Sequence, residues 1–160
     1  MPMTLDGSCQ CGAVRFSVES HTPVPYQRCY CSICRKSAAG GGYSVNIGAV
    51  TDTLSVNDWD QLGLFHATRD DGSHSEAERY FCTSCGSQLW LFDPRWPELV
   101  HPVASVIDTP LPVPPKLTHI FMADKPHWVT PEIGAWDEVF DAYPELSLAD
   151  WHEANGCWVA

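Results

Sequence analysis

The chain has little basic charge to offer. Nine lysines and arginines stand against twenty aspartates and glutamates in 160 residues, a formal net charge of -11. That balance disfavours binding along a phosphate backbone, which needs clustered lysine and arginine, and points to a small molecule or a protein as the partner. No run approaches the ~18 consecutive apolar residues that a membrane span requires. The segment Met1–Ser8 has no basic region followed by an apolar stretch, so no secretory signal is visible and a cytoplasmic, reducing compartment is expected. Repeats and low-complexity runs are absent too. Thirteen prolines and eleven glycines leave little room for long helices. The length suits one domain with a sizeable core.

What the chain does have is cysteine in an ordered pattern. Seven of its eight cysteines fall into three groups: Cys9 and Cys11, then Cys29, Cys31 and Cys34, then Cys82 and Cys85. Such C-x-C and C-x-x-C spacings let thiolates converge on one soft, tetrahedral ion such as zinc. An even cysteine count also permits a disulfide framework, the rival reading, which the lack of a visible signal disfavours. Seven ligands divide as four and three. Four close a structural site; three leave an open coordination position.

The residues after each group set them apart. Gly12 follows Cys11 and Gly86 follows Cys85. A glycine there permits positive φ, so the backbone can fold over and aim N–H groups at the sulfurs. Cys9, Cys11, Cys82 and Cys85 therefore read as two halves of one closed site, stapling an N-terminal strand to a later hairpin. Cys34 is followed instead by Arg35 and Lys36. Cations there favour the thiolate and can bind a ligand's carboxylates, and a helical turn over Ser32–Ser37 would aim N–H groups the same way. Three thiolates give zinc a formal charge of -1, which disfavours metal-hydroxide hydrolysis and favours capture of an incoming thiol. The alternatives are a second structural site, closed by His66, His119 or Cys157, and a trio of buried free thiols.

Alternating polarity predicts a strand over Cys11–Val18, with Val14, Phe16 and Val18 on one face. Further short strands are predicted over Tyr26–Cys29, Tyr43–Val50, Leu54–Val56, Leu62–Thr68, Glu78–Phe81, Gln88–Phe92, Val100–Val106 and Leu117–Phe121, with a hairpin turn at Asp70–Ser73. Thr109–Pro115, with four prolines in seven residues, reads as an extended surface linker. A short helix is expected over Leu148–Ala154, capped by Ser147. The expected fold is mostly β, a single domain of short antiparallel strands pinned by metal. Its core covers about residues 5–130. An acidic, tryptophan-bearing extension over 131–160 reads as a surface that docks over the core or over a second subunit of a homodimer.

These motifs resemble one known family. The opening motif, GSCQCGAVRF over Gly7–Phe16, is followed by CYCSICRK over Cys29–Lys36 and FCTSCGSQL over Phe81–Leu89. The HIF of His119–Phe121 and the KPHW of Lys125–Trp128 then match its C-terminal signature. In this order they are similar to the glutathione-dependent formaldehyde-activating enzyme family, also called centromere protein V-like. The resemblance implies a Mss4-like fold of zinc-pinned sheets. It implies one structural zinc on Cys9, Cys11, Cys82 and Cys85, and a second zinc on Cys29, Cys31 and Cys34. It also implies carbon–sulfur lyase chemistry that joins formaldehyde to glutathione as S-hydroxymethylglutathione. Arg35 and Lys36 would then hold glutathione carboxylates. The other reading is a zinc-stabilised module that binds a protein and catalyses nothing. One departure stands at the centre: the family often has histidine between the first two cysteines of the triplet, and this chain has Tyr30. A tyrosine of ordinary pKa is a poor proton-transfer group at neutral pH. His119 matches the signature as a site or a core residue, and Lys125–Trp128 reads as a packing corner.

Overall fold

A computed structural model describes residues 1–38 and 40–160. Among these residues, twelve short strands form three sheets, joined by two short helices and several 3-10 turns. The first sheet orders β1 (Met3–Ser8), β2 (Arg15–Ser20) and β6 (Ser55–Val56) as β1-β2-β6. The second contains β5 (Ala49–Val50), β7 (Leu62–Thr68), β8 (His74–Cys82), β9 (Gln88–Phe92) and β10 (Leu99–Pro102), in the order β5-β10-β9-β8-β7. The third contains β3 (Gln27–Cys29), β4 (Ser44–Val45), β11 (Thr118–Ile120) and β12 (Glu138–Val139), in the order β12-β11-β3-β4.

The main core forms where the first two sheets face each other. The β2 alternation buries Phe16 and Val18, which join Leu5, Val14, Leu89, Trp90 and Val100. Phe16 meets Trp90 edge-on at a centroid distance of 5.1 Å, the favoured arrangement of two ring quadrupoles. β1 does not announce itself in the sequence, because Gly7 occupies an inward position where an apolar side chain would be expected. The reason is the Phe16 ring: a Cβ on Gly7 would lie 2.4 Å from its Cζ.

β7 and β9 match the predicted segments, and so does the second helix, α2 (Leu148–Ala154), whose first turn is capped when Asp150 N–H donates to Ser147 Oγ at 3.1 Å. Elsewhere tertiary structure intervenes. The predicted strand Tyr43–Val50 is two strands, because the chain leaves one sheet at Val45 and joins another at Ala49. The Gly48 carbonyl holds that crossing, accepting from Ser20 Oγ at 2.6 Å and Thr22 Oγ1 at 3.1 Å. β8 extends back to His74 as the partner of β7, and β10 stops at Pro102 before a 3-10 turn over Ala104–Val106. Most pairings are antiparallel, but β11 runs parallel to both β3 and β12. The extension thus adds a strand to the sheet that carries the cysteine triplet. It also adds a second core cluster, where Trp151 of α2 stacks on Tyr26 at 3.5 Å, with their planes 5° apart. No helix among the described residues is long and apolar enough to cross a membrane.

Candidate metal centres and the cavity beside one of them

All eight cysteines are free thiols. Seven of them gather into two groups, within each of which the sulfurs lie within 4.8 Å of one another: Cys9, Cys11, Cys82 and Cys85 in one, Cys29, Cys31 and Cys34 in the other. The division into four and three is therefore met in space.

The four-cysteine group sits between two matching turns. Gly12 has φ +77° and Gly86 has φ +75°, a left-handed conformation that glycine adopts without steric cost. Each closes its turn by donating its N–H to the first cysteine's carbonyl, Gly12 to Cys9 at 3.0 Å and Gly86 to Cys82 at 2.8 Å. Val14 N–H then points at Cys9 Sγ, 3.2 Å away. Ser87 ties the two turns together: its hydroxyl accepts Gln10 N–H at 3.0 Å and lies 3.2 Å from Cys85 Sγ. Hydrogen bonds from the Ser87 hydroxyl and backbone pull the Cys85 thiol down to about 5. An open polar groove of about 740 Å³ runs past this group. Its single cation, Arg15, makes it a weak site for an anionic ligand.

The triplet is built differently. β3 delivers Cys29 from its last position, and the helix α1 (Ser32–Ala38) delivers Cys34, with Cys31 just before it. Cys34 N–H reaches Cys31 Sγ at 3.3 Å. Two side chains from elsewhere in the fold donate to Cys34 Sγ, Asn46 Nδ2 at 3.6 Å and Arg79 Nη2 at 3.7 Å. Hydrogen bonds from Cys29 and Cys31, aided by the Arg79 charge and by Asn46, hold the Cys34 thiol well below its ordinary value despite burial. Those same contacts push Cys29 up. The donor sets of both groups fit zinc: soft sulfurs converge, and N–H donors aimed at them favour the thiolate form that a metal ligand must take.

The triplet lies in the wall of a cavity of about 460 Å³, within the size range of small-molecule sites. Arg79, Arg69 and Arg95 bring positive charge to that cavity, Asp70, Asp93 and Asp124 bring negative charge, and Trp96, Phe121 and Tyr143 bring aromatic surface. The Arg95 charge is balanced by buried Asp93, with Nη2 donating to Oδ2 at 2.6 Å and Nε to Oδ1 at 2.9 Å. Arg69 and Arg79 make no ion pair among the described residues. A second groove of about 350 Å³ adjoins the cavity and shares Ser32, Ile33, Thr68 and Asp70 with it.

The residues singled out from the sequence separate clearly. Lys36 lines the adjoining groove, while Arg35 lines neither space. His66 also lies in that groove, with Nδ1 3.0 Å from the Ser75 carbonyl, and does not join the sulfurs. Cys157 packs near Trp151, away from the triplet. His119 is a core residue. Its Nε2 meets Asp137 Oδ2 at 3.2 Å and its Nδ1 meets Tyr30 Oη at 3.1 Å. Burial raises the Asp137 carboxyl, but N–H groups of Leu117 and Gly134 and the His119 ring outweigh it and hold the carboxyl low. Tyr30 itself is 0% exposed and does not line the cavity. The departure at Tyr30 therefore lies in the core beside His119 and not in the cavity wall. The residues that sequence reasoning missed are Arg79, Arg69 and Asn46. A trace of Arg79 was visible, since Ser75, Ala77 and Arg79 share one face of β8 by two-residue alternation, which places a lone arginine in the phase of buried Ala77.

Comparison with known proteins finds related chains. Residues 4–124 match the family described as "Glutathione-dependent formaldehyde-activating enzyme". A Halomonas elongata protein named "Putative glutathione-dependent formaldehyde-activating enzyme" is 52% identical over 154 residues, covering 96% of this chain and 98% of its own. The crystal structure of a Rhodobacter sphaeroides protein superposes with a TM-score of 0.52 at 26% identity, covering 69% of this chain and 92% of that one.

Proposed function

The chain belongs to the glutathione-dependent formaldehyde-activating enzyme family, and from that premise we propose that it is a zinc-dependent carbon–sulfur lyase acting on S-hydroxymethylglutathione or a closely related glutathione adduct. Zinc would be held at one site by Cys9, Cys11, Cys82 and Cys85, and at the other by Cys29, Cys31 and Cys34. When bound at the triplet, the ion supplies a soft position that favours the substrate sulfur as thiolate. One observation carries the reading: the three-cysteine group opens onto a cavity where Arg69 and Arg79 make no ion pair among the described residues, while the other group brings four cysteines together.

The chain's own residues then orient the ligand. Arg69, at the cavity wall, keeps one nitrogen on Ser73 Oγ at 3.3 Å and the His74 carbonyl at 2.8 Å. Its remaining donors can take a carboxylate in the forked geometry suited to guanidinium. Lys36, in the adjoining groove, would take the tripeptide's other carboxylate, and the role expected of it passes to an outer subsite. Arg35 would act only beyond these spaces. Trp96 and Phe121 cover apolar parts of the ligand and exclude water.

Titration with glutathione under calorimetry, together with the rate of exchange between 13C-formaldehyde and S-hydroxymethylglutathione, tests the proposal. Saturable binding that disappears in the Cys29→Ser/Cys31→Ser/Cys34→Ser variant, with accelerated exchange by the parent protein, is the expected result. A parent protein indifferent to added thiol would sink the reading.

A further inference from the structure

The least explained charge in the fold is Arg79. It is 9% exposed, yet among the described residues it makes no ion pair and a single hydrogen bond, from Nη2 to Cys34 Sγ at 3.7 Å. A buried cation costs several kcal/mol unless its charge is met. One soft sulfur, itself shared with Cys29, Cys31 and Asn46, uses one of five guanidinium donors. None of the other Arg79 nitrogens is both buried and unpartnered, and the side chain lines the cavity, so these donors open into it.

The position is fixed from both sides. Arg79 lies on the interior strand β8, paired with Phe65 of β7 and Leu91 of β9. Ala77 and Ser75 follow on the same face and also line the cavity. The charge is thus preorganised on a sheet rather than carried on a loop, as a group that stabilises developing charge should be.

Resting on the lyase reading above, we infer that Arg79 is a catalytic residue that binds the oxyanion formed from the aldehyde oxygen. In the forward direction the substrate thiol first gives up its proton. Its sulfur lone pair then forms the C–S bond with the aldehyde carbon, and the C=O π pair moves onto oxygen as an alkoxide. The alkoxide takes one proton from solvent, matching the one lost by the thiol, and nothing is oxidised or reduced. The new oxygen stands two bonds from the substrate sulfur. A group beside the cysteine sulfurs is therefore the one that can reach it. The tripeptide's carboxylates lie many bonds further along the chain and fall to Arg69 and Lys36. Arg79 donates only hydrogen bonds, through its guanidinium N–H groups.

The test uses the full-length, zinc-loaded protein and its Arg79→Gln and Arg79→Lys variants. Three quantities are read: zinc content, the calorimetric Kd for glutathione, and kcat and KM for S-hydroxymethylglutathione cleavage. Losing one such donor costs about 10²- to 10³-fold in kcat. Arg79→Gln is expected to show a loss on that scale with two zincs retained and Kd for glutathione within about threefold, and Arg79→Lys a smaller loss. Should the variants fail to fold, the parent protein supplies a second measurement. It should bind glutathione S-sulfonate, whose anionic oxygens stand two bonds from the sulfur, at least tenfold more tightly than S-ethylglutathione. Unchanged kcat, a loss confined to zinc content or glutathione affinity, or equal binding of the two conjugates would each overturn the role of Arg79. A parent protein that neither binds glutathione nor cleaves the adduct would overturn the lyase reading instead.

Discussion

Replacing Trp151 with alanine tests whether the acidic extension is part of the fold that shapes the triplet. Trp151 is 1% exposed and stacks face to face on Tyr26, with Val24 completing the cluster. Tyr26 directly precedes β3, the strand that ends in Cys29. A buried tryptophan covers ~150–250 Å², and at ~25 cal/mol/Å² that burial is worth about 4–6 kcal/mol. The stack adds about 1 kcal/mol. Against this, Trp151 Nε1 is buried without a partner, a defect of about 1–3 kcal/mol that the substitution removes. The expected net loss is about 3–5 kcal/mol, in the range for a large-to-small change with a residual cavity. Urea unfolding at fixed, saturating zinc should show a matching fall in midpoint with an unchanged slope. Hydrogen exchange should show lost protection in α2 and in β3. A loss below about 1 kcal/mol, or α2 freed with β3 still protected, would refute the coupling between the extension and the triplet.

Three further outcomes follow from the same contacts. His152 accepts Val24 N–H on Nε2 at 3.1 Å and faces the Leu148 carbonyl with Nδ1 at 2.7 Å, and burial lowers its pKa. The unfolded chain therefore takes up the proton first, so α2 docking is complete above about pH 6.5 and weakens as pH falls through the lowered folded value. Trp151 fluorescence should report this acid-side loss, and weakening toward alkaline pH instead would contradict it. Tyr30→Phe leaves His119 Nδ1 without its 3.1 Å partner and should cost about 1–3 kcal/mol of stability, while KM for a glutathione adduct stays unchanged; a KM shift would return Tyr30 to the site. Gly86→Ala meets no atom within 4 Å but must keep φ +75°, so it should cost about 1–2 kcal/mol, read as a lower denaturation midpoint. A neutral result would show that the turn at the four-cysteine group tolerates another backbone conformation.

The two cysteine groups were readable in the sequence because their spacing is itself the geometry: two residues apart, or three, is the reach of two thiolates to one ion. The glycines after Cys11 and Cys85 carried the turn conformation, and alternation carried β7 and β9. What escaped depended on partners distant in the chain. β1 hides behind Gly7, whose missing side chain makes sense only with the Phe16 ring above it. The crossing at Asn46–Gly48 depends on which sheets lie on either side. β12 is two residues long and exists through its pairing with β11. Proximity in sequence also misled at Tyr30, which shares a motif with Cys29 and Cys31 but sends its ring to His119 in the core. Arg79 lies 45 residues beyond Cys34, and only the β7–β8–β9 register brings it to the sulfur.

The division of labour between the two cysteine groups is the centre of this account, and metal stoichiometry tests it most directly. Zinc should be measured in the parent protein and in the Cys29→Ser/Cys31→Ser/Cys34→Ser variant, with the circular dichroism of each. The predicted result is two zincs falling to one, with the β-sheet spectrum kept. Unfolding of the variant, or a zinc content that does not fall, would contradict the assignment of a structural four-cysteine site and a separate working triplet.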